Sequence, residues 1–173
     1  MKISQPTPAM EKSLRALWKE VFHDSDEYID LFFSKRYNPS HAMVVHENNE
    51  VVSMLFALPI DLIMQGEIIS ASYVYAVGTL PQFRRRGLSG LLLDHMHNWL
   101  KEKGVQASVL VPASKELFMF YEVRGYQTAF HIDIKKETFR DYSNIISLKK
   151  STLCEQQELR DKYFSSSRLF ARW

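Results

Sequence analysis

A single cysteine, Cys154, leaves no disulfide available within the chain, and a reducing compartment is its simpler setting. No apolar run approaches the roughly eighteen residues of a membrane-crossing helix. The opening Met1-Lys2-Ile3-Ser4-Gln5-Pro6 has no apolar core of signal-peptide type, so a cytoplasmic protein with no membrane partner is expected. Lys and Arg total 22 against 20 for Asp and Glu, a net charge of +2. That is too small for a polyanion to be the expected partner. Of six histidines, His95 and His97 lie two apart on an expected helix and point in different directions. No metal site is expected from them. Repeats and low-complexity linkers are absent. What remains, 46% hydrophobic, 13% aromatic and 24% charged over 173 residues, is the composition of an ordinary globular domain with a real core.

Periodicity orders the chain. Leu14, Leu17, Trp18, Val21 and Phe22 fall at helical spacing. Within His23-Asp24-Ser25-Asp26-Glu27 are a capping residue and first-turn acids for a second helix through Tyr28, Leu31, Phe32 and Phe33, ended by Pro39. Strands follow: Ala42 to His46 and Val51 to Leu58 around the turn Asn48-Asn49, then Leu62 to Met64 and Ile68 to Val77 around Gln65-Gly66. From Gly87 the pattern becomes helical, with Leu88, Leu91, Leu92, Met96, Trp99 and Leu100 on one face, and Gly104 terminates it. Val105 to Val111 reads as a strand broken by Pro112. Ser114 can cap a helix through Leu117, Phe118 and Tyr121 that stops near Gly125, and Tyr126 to Ile134 reads as a last strand. The expected class is α/β: a mixed, mostly antiparallel central sheet flanked by helices on both faces.

Chemistry concentrates in Val77-Gly78-Thr79-Leu80-Pro81-Gln82-Phe83-Arg84-Arg85-Arg86-Gly87-Leu88-Ser89-Gly90. A strand ends, a basic turn follows, and a helix starts at a glycine. The first amides of a helix lack intrahelical acceptors and carry the positive end of its dipole, so anions bind there. Glycine lets a phosphate approach the backbone, and arginine forks match phosphate oxygens. The turn has neither the Gly-Lys-Ser/Thr ending of a P-loop nor a Gly-x-Gly-x-x-Gly pattern. Two other readings of these residues stay open: a solvated basic turn, and, more weakly, a nucleic-acid contact.

Arg84-x-x-Gly87-x-Ser89 resembles the Gln/Arg-x-x-Gly-x-Gly/Ala signature of the GNAT acetyltransferases, with Pro81 placed as that family often has it. Phe120-Tyr121-Glu122-Val123-Arg124-Gly125-Tyr126 resembles the family's Tyr-Glu-x-x-Gly-Phe segment at the expected distance downstream. The resemblance covers roughly residues 8 to 135. Tyr-Val-Tyr-Ala-Val-Gly-Thr-Leu-Pro and the triple arginine are most similar to the branch named for enhanced intracellular survival. It implies an acetyl-CoA-dependent N-acetyltransferase acting directly on an amine, with no metal. Val77, Gly78 and Thr79 would meet the pantetheine arm, and Arg84, Arg85, Arg86, Gly87, Leu88, Ser89 and Gly90 the pyrophosphate. Tyr121 would be the general acid. Ser89 departs from the usual Gly or Ala but is small. Ser114, also placed at the coenzyme, stands where many members have asparagine.

An amine with a pKa of about 10.4 must lose a proton before it attacks. Glu67, Glu122 and Asp61 are candidate bases among which spacing does not choose. Cys154 lies outside the matched region and reads as a bystander. Residues 1–140 are expected to form the catalytic domain. Residues 141–173 form an extension, the stump of a second GNAT-like half or a contact for a second copy through Leu169-Phe170-Ala171-Arg172-Trp173. Two further functions stand beside the enzyme: a non-catalytic acyl-CoA sensor and a protein-interaction module.

Overall fold

The computed structural model describes residues 1–129 and the backbone of Leu169–Arg172. Its elements are β1 (Lys2–Ser4), α1 (Glu11–Phe22), α2 (Asp26–Lys35), β2 (Ala42–Glu47), β3 (Glu50–Met64), β4 (Glu67–Thr79), α3 (Leu88–Glu102), β5 (Ala107–Val109), α4 (Glu116–Glu122) and β6 (Leu169–Arg172). Two compact units divide them. One holds Met1–Leu62 and Ile68–Val111, the other Ile63–Glu67 and Pro112–Arg172.

Five strands line up in the order β1-β2-β3-β4-β5. β1 runs antiparallel to β2 and β2 to β3, whereas β4 and β5 are parallel. Both anticipated hairpin turns form, because each places two residues in the left-handed region: Asn48 and Asn49 at φ 49° and 66°, Gln65 and Gly66 at 54° and 88°. That is the twist-matched turn of a tight hairpin.

The sheet is covered on both faces. Successive residues of a strand point to opposite sides, yet Val44 and Val45 of β2, and Met54, Leu55 and Phe56 of β3, are all buried. On one face Trp18 of α1 and Phe32 and Phe33 of α2 pack on Phe56, with Trp18 and Phe56 ring centroids 5.6 Å apart. α3 buries Leu92, Leu93 and Met96 and ends on Gly104 (φ 73°), where the Val105 amide donates to the Leu100 carbonyl. This is a Schellman closure, as the glycine implied.

Two strand expectations change. β3 is one strand through Pro59 rather than two pieces. β2 pairs with β3 only as far as Phe56, so the missing proline N–H costs that ladder nothing. β5 spans only Ala107–Val109, because its pairing with β4 stops at Tyr73↔Val109. The strand expected from Tyr126 lies largely outside the described residues. Cys154 and the side chains of the tail lie wholly outside them.

Candidate active site

β4 and β5 run side by side at Ala71↔Ala107, Ser72↔Ser108 and Tyr73↔Val109, and are not paired beyond that point. Among the described residues no further strand pairs with β4 on that side. Three residues further on, Ala76 takes φ 48°, a conformation that costs a non-glycine residue about 1–2 kcal/mol. A left-handed residue inside a strand bends it locally, and such outliers gather near functional sites. The Leu80 amide donates to Val52 of β3 at 3.0 Å. Because strand amides alternate sides, Val77 and Thr79 then direct theirs away from β3, toward the unpaired edge.

Gly78 answers to packing. A Cβ there would sit 3.1 Å from Phe22 Cε2 and 3.3 Å from Val21 Cγ1, so the glycine admits the end of α1 against the strand. Its carbonyl accepts the Ser53 hydroxyl at 2.9 Å.

Beyond Thr79 the chain makes a short 3-10 turn, Pro81–Phe83, then a tight bend in which Arg85 (φ 61°) and Gly87 (φ 75°) stand on either side of Arg86. Left-handed residues in such bends let consecutive amides converge on an anion. Gly87 is the N-cap of α3 and provides no side chain, and the first turn of α3 carries no acid. The first amide with an intrahelical partner is Leu91, bonded to Gly87 O at 3.0 Å. Those of Leu88, Ser89 and Gly90 are therefore open at the positive end of a fifteen-residue helix.

The three arginines divide their labour. Arg84 Nε donates to the Thr79 carbonyl at 3.1 Å and Arg86 to the Gln82 carbonyl at 3.2 Å. The Arg86 guanidinium also lies 5.0 Å from the Phe83 ring centre. These two brace the turn. Arg85 is exposed, with no such contact among the described residues.

A buried line of hydroxyls ties the turn to the sheet: Ser53 to Thr79 at 2.7 Å, and Thr79 to Ser89 at 2.9 Å. Its direction follows from proton counting. Ser53 gives its one proton to the Gly78 carbonyl, so Thr79 donates to Ser53 and Ser89 donates to Thr79. The Ser89 hydroxyl is thereby spent, and only its backbone amide remains to meet a phosphate. Sequence reading had no means of finding Ser53, whose only mark is a serine inside the apolar run Val51–Leu58.

Tyr121 and Ser114 belong to the second unit. Tyr121 is buried near the end of α4, its ring 5.6 Å from that of Tyr126. Burial pushes its phenol above the usual range, opposed by the Arg124 charge. Arg124 is held by the Phe120 carbonyl at 2.6 Å and lies 3.9 Å from that ring's centre. Ser114 does not cap α4 with its hydroxyl. The Glu116 carboxyl is held below its ordinary range, first by the neighbouring Ser114 hydroxyl and then by its own backbone hydrogen bond. Of the candidate bases, Asp61 is half-buried on β3, whereas Glu67 and Glu122 are exposed.

What the first unit presents is an α/β sheet with an anion-ready turn beyond the end of β4. A model of the Acetyltransferase (GNAT) domain matches residues 2–129, and the chain belongs to the GNAT acetyltransferase family. No curated protein matches it significantly in sequence. Among solved structures it is similar to a GCN5-related N-acetyltransferase from Anabaena variabilis (21% identity, TM-score 0.62, covering 69% of this chain and 30% of that one). It is also similar to Eis1 from Mycobacterium abscessus (13%, 0.60, covering 70% and 31%). A third is AAC(6')-Iy in complex with the bisubstrate analog CoA-S-monomethyl-acetylneamine (13%, 0.61, covering 80% and 98%). At these identities the likeness carries the fold. The match spans less than a third of the length of the Anabaena and Mycobacterium proteins. No helix among the described residues is long and apolar enough to cross a membrane.

Proposed function

We propose that this chain moves an acetyl group from acetyl-CoA to a primary amine by direct attack, in the cytoplasm. The unfilled start of α3 carries the reading. The amides of Leu88, Ser89 and Gly90, with the turn amides from Arg85 onward and the Arg85 guanidinium, suit a doubly charged pyrophosphate. Val77 and Thr79 offer backbone groups on an unpaired strand edge, where an extended pantetheine arm can add as a strand would. Backbone N–H groups there polarise the thioester carbonyl and stabilise developing negative charge. Gly78 serves by letting α1 approach.

Tyr121 is assigned the acid by its motif. A phenol raised by burial stays protonated throughout the neutral range. As nitrogen bonds to the acyl carbon and the carbon–sulfur bond breaks, sulfur takes the Tyr121 proton. The phenolate regains one from the proton shed by nitrogen through solvent, so the cycle balances without an acyl-enzyme. The AAC(6')-Iy ligand joins coenzyme and amine in one molecule, the arrangement direct transfer requires. Ser114 keeps the coenzyme-side place that its position seven residues before Tyr121 assigns it.

Calorimetry with acetyl-CoA at moderate salt, followed by thiol release against an amine library, tests the reading. Absence of binding at millimolar coenzyme would remove it, and binding without release for any amine would leave an acyl-CoA sensor. Tyr121→Phe should lower turnover roughly 10²–10⁴-fold with coenzyme affinity nearly intact. Unchanged turnover across pH 6–9 would take the acid role from this residue.

A further inference from the structure

We infer that the corner where α1 turns into α2 beside β4 is an acceptor surface for amines bearing a second positive charge, formed by Tyr28, Tyr73, Tyr75 and the carboxylate of Asp24. The inference rests on the transferase reading and names the class of amine which that reading leaves open. Tyr73 and Tyr75 are one strand repeat apart and share a side of β4, their rings stacked at 5.8 Å. From the first turn of α2, Tyr28 meets Tyr75 oxygen to oxygen at 2.7 Å. One hydroxyl proton lies between those oxygens, so the second proton and the remaining lone pairs are left for a ligand. Tyr28 is 43% exposed, so the pair opens to solvent.

Charge follows the same plan. Lys19 pairs with Asp26 at 2.9 Å, and Arg15 with Asp30 at 2.7 Å and Glu11 at 2.9 Å. Among the described residues Asp24 and Glu27 have no ion pair. Asp24 accepts the Trp18 indole N–H at 2.8 Å, and the Trp18 ring lies 5.8 Å from that of Tyr75. The carboxylate is thus fixed on the edge of a Trp18 ring that itself packs against Tyr28 and Tyr75. Aromatic faces with an unpaired carboxylate attract an ammonium group and repel an acidic acceptor. Tyr75 precedes the left-handed Ala76 and is two residues from Val77, so a ligand held here by one charge presents another nitrogen to the reacting strand.

The test titrates the full chain, saturated with CoA, with spermidine and with n-butylamine by calorimetry at low salt. Asp24→Asn retains an oxygen for the Trp18 indole, and an unchanged melting temperature confirms that the corner is intact. Spermidine should bind at least roughly tenfold more tightly than butylamine, and Asp24→Asn should abolish most of that preference. Tyr28→Phe should remove a smaller part, roughly threefold. Equal binding of the two amines, or a preference that survives Asp24→Asn, overturns the inference. If acetyl-CoA itself fails to bind, the transferase reading falls separately, and spermidine titrated into the free chain still decides whether this corner selects cations.

Discussion

α2 and α3 start in opposite ways. α2 meets the needs of its own first turn: the Ser25 side chain accepts from the Tyr28 amide, and Asp26 and Glu27 set negative charge at the dipole's positive end. α3 has a glycine cap, no side-chain bond and no acid in its first turn. α1 and α4 side with α2, carrying Glu11 and Glu116 there. A helix start that has its own anion is a structural joint, and one braced on every side yet left without an anion is set up to receive one. The bracing of α3 is specific: Arg84 and Arg86 hold the turn's carbonyls, and the Ser53–Thr79–Ser89 line holds its first helical turn to β4.

Making α3 resemble α2 should break the difference. Ser89→Asp adds a carboxylate to the first turn of α3, close to the open amides where the pyrophosphate is proposed to sit. One like charge at about 4 Å is worth about 4 kcal/mol at an effective dielectric of about 20. Acetyl-CoA affinity should then fall on the order of a thousandfold. Stability should change little, since the lost hydroxyl bond is offset by a favourable helix-dipole contact. Calorimetry and thermal melting read the two effects, and tight binding by this variant would place the phosphates elsewhere. The arginines give a smaller contrast. Arg85→Ala should weaken coenzyme binding roughly tenfold and flatten its salt dependence without altering the melt. Arg84→Ala should cost about 1 kcal/mol of stability by releasing the Thr79 carbonyl.

How much of this could be read from sequence depends on the range of the interaction. Local chemistry was legible. Asn48-Asn49, Gln65-Gly66, the Ser25 cap and the Gly104 stop are each set by neighbours within a few residues, and each forms as expected; the α3 face forms through Leu88, Leu92, Met96 and Leu100, but Leu91, expected on it, is exposed and Leu93 is buried in its place. The order strand, basic turn, helix also forms as expected. Long-range geometry was not legible. Nothing about an alanine announces φ 48° at Ala76, because the surrounding sheet imposes it. Tyr28 and Tyr75 meet across 47 positions, and Ser53 reaches Thr79 across 26. The length of β5 depends on where β4 leaves it. Gly78 illustrates the remaining ambiguity: a glycine beside a coenzyme motif whose visible work is to accommodate Phe22.

The hydroxyl line tests whether α3 needs its tether. Thr79→Val keeps the shape but removes the donor to Ser53 and the acceptor for Ser89. It should cost about 1–2 kcal/mol and weaken coenzyme binding a few-fold, because the open amides lose their anchor to the strand. Loss of stability with undiminished affinity would show that the open amides hold their aim without the tether.

The smallest effect lies at the other start. The Glu27 carboxyl is held below its ordinary range, first by its own backbone hydrogen bond and then by the Ser25 hydroxyl. A carboxyl lowered on folding adds stability above its unfolded pKa, of about 4.5, and that contribution fades as pH falls through the folded value. Glu27→Gln should therefore melt slightly below the wild type at pH 7, with the two curves converging in acid as pH falls through the lowered folded value. The gap should also shrink with added salt, since the group is fully exposed. Acetyl-CoA affinity should stay the same throughout, because this joint already has its anion and the coenzyme has no use for it. A Glu27→Gln protein with weakened coenzyme binding would mean that the two helix starts are coupled, and the division between a filled joint and an open one would no longer hold.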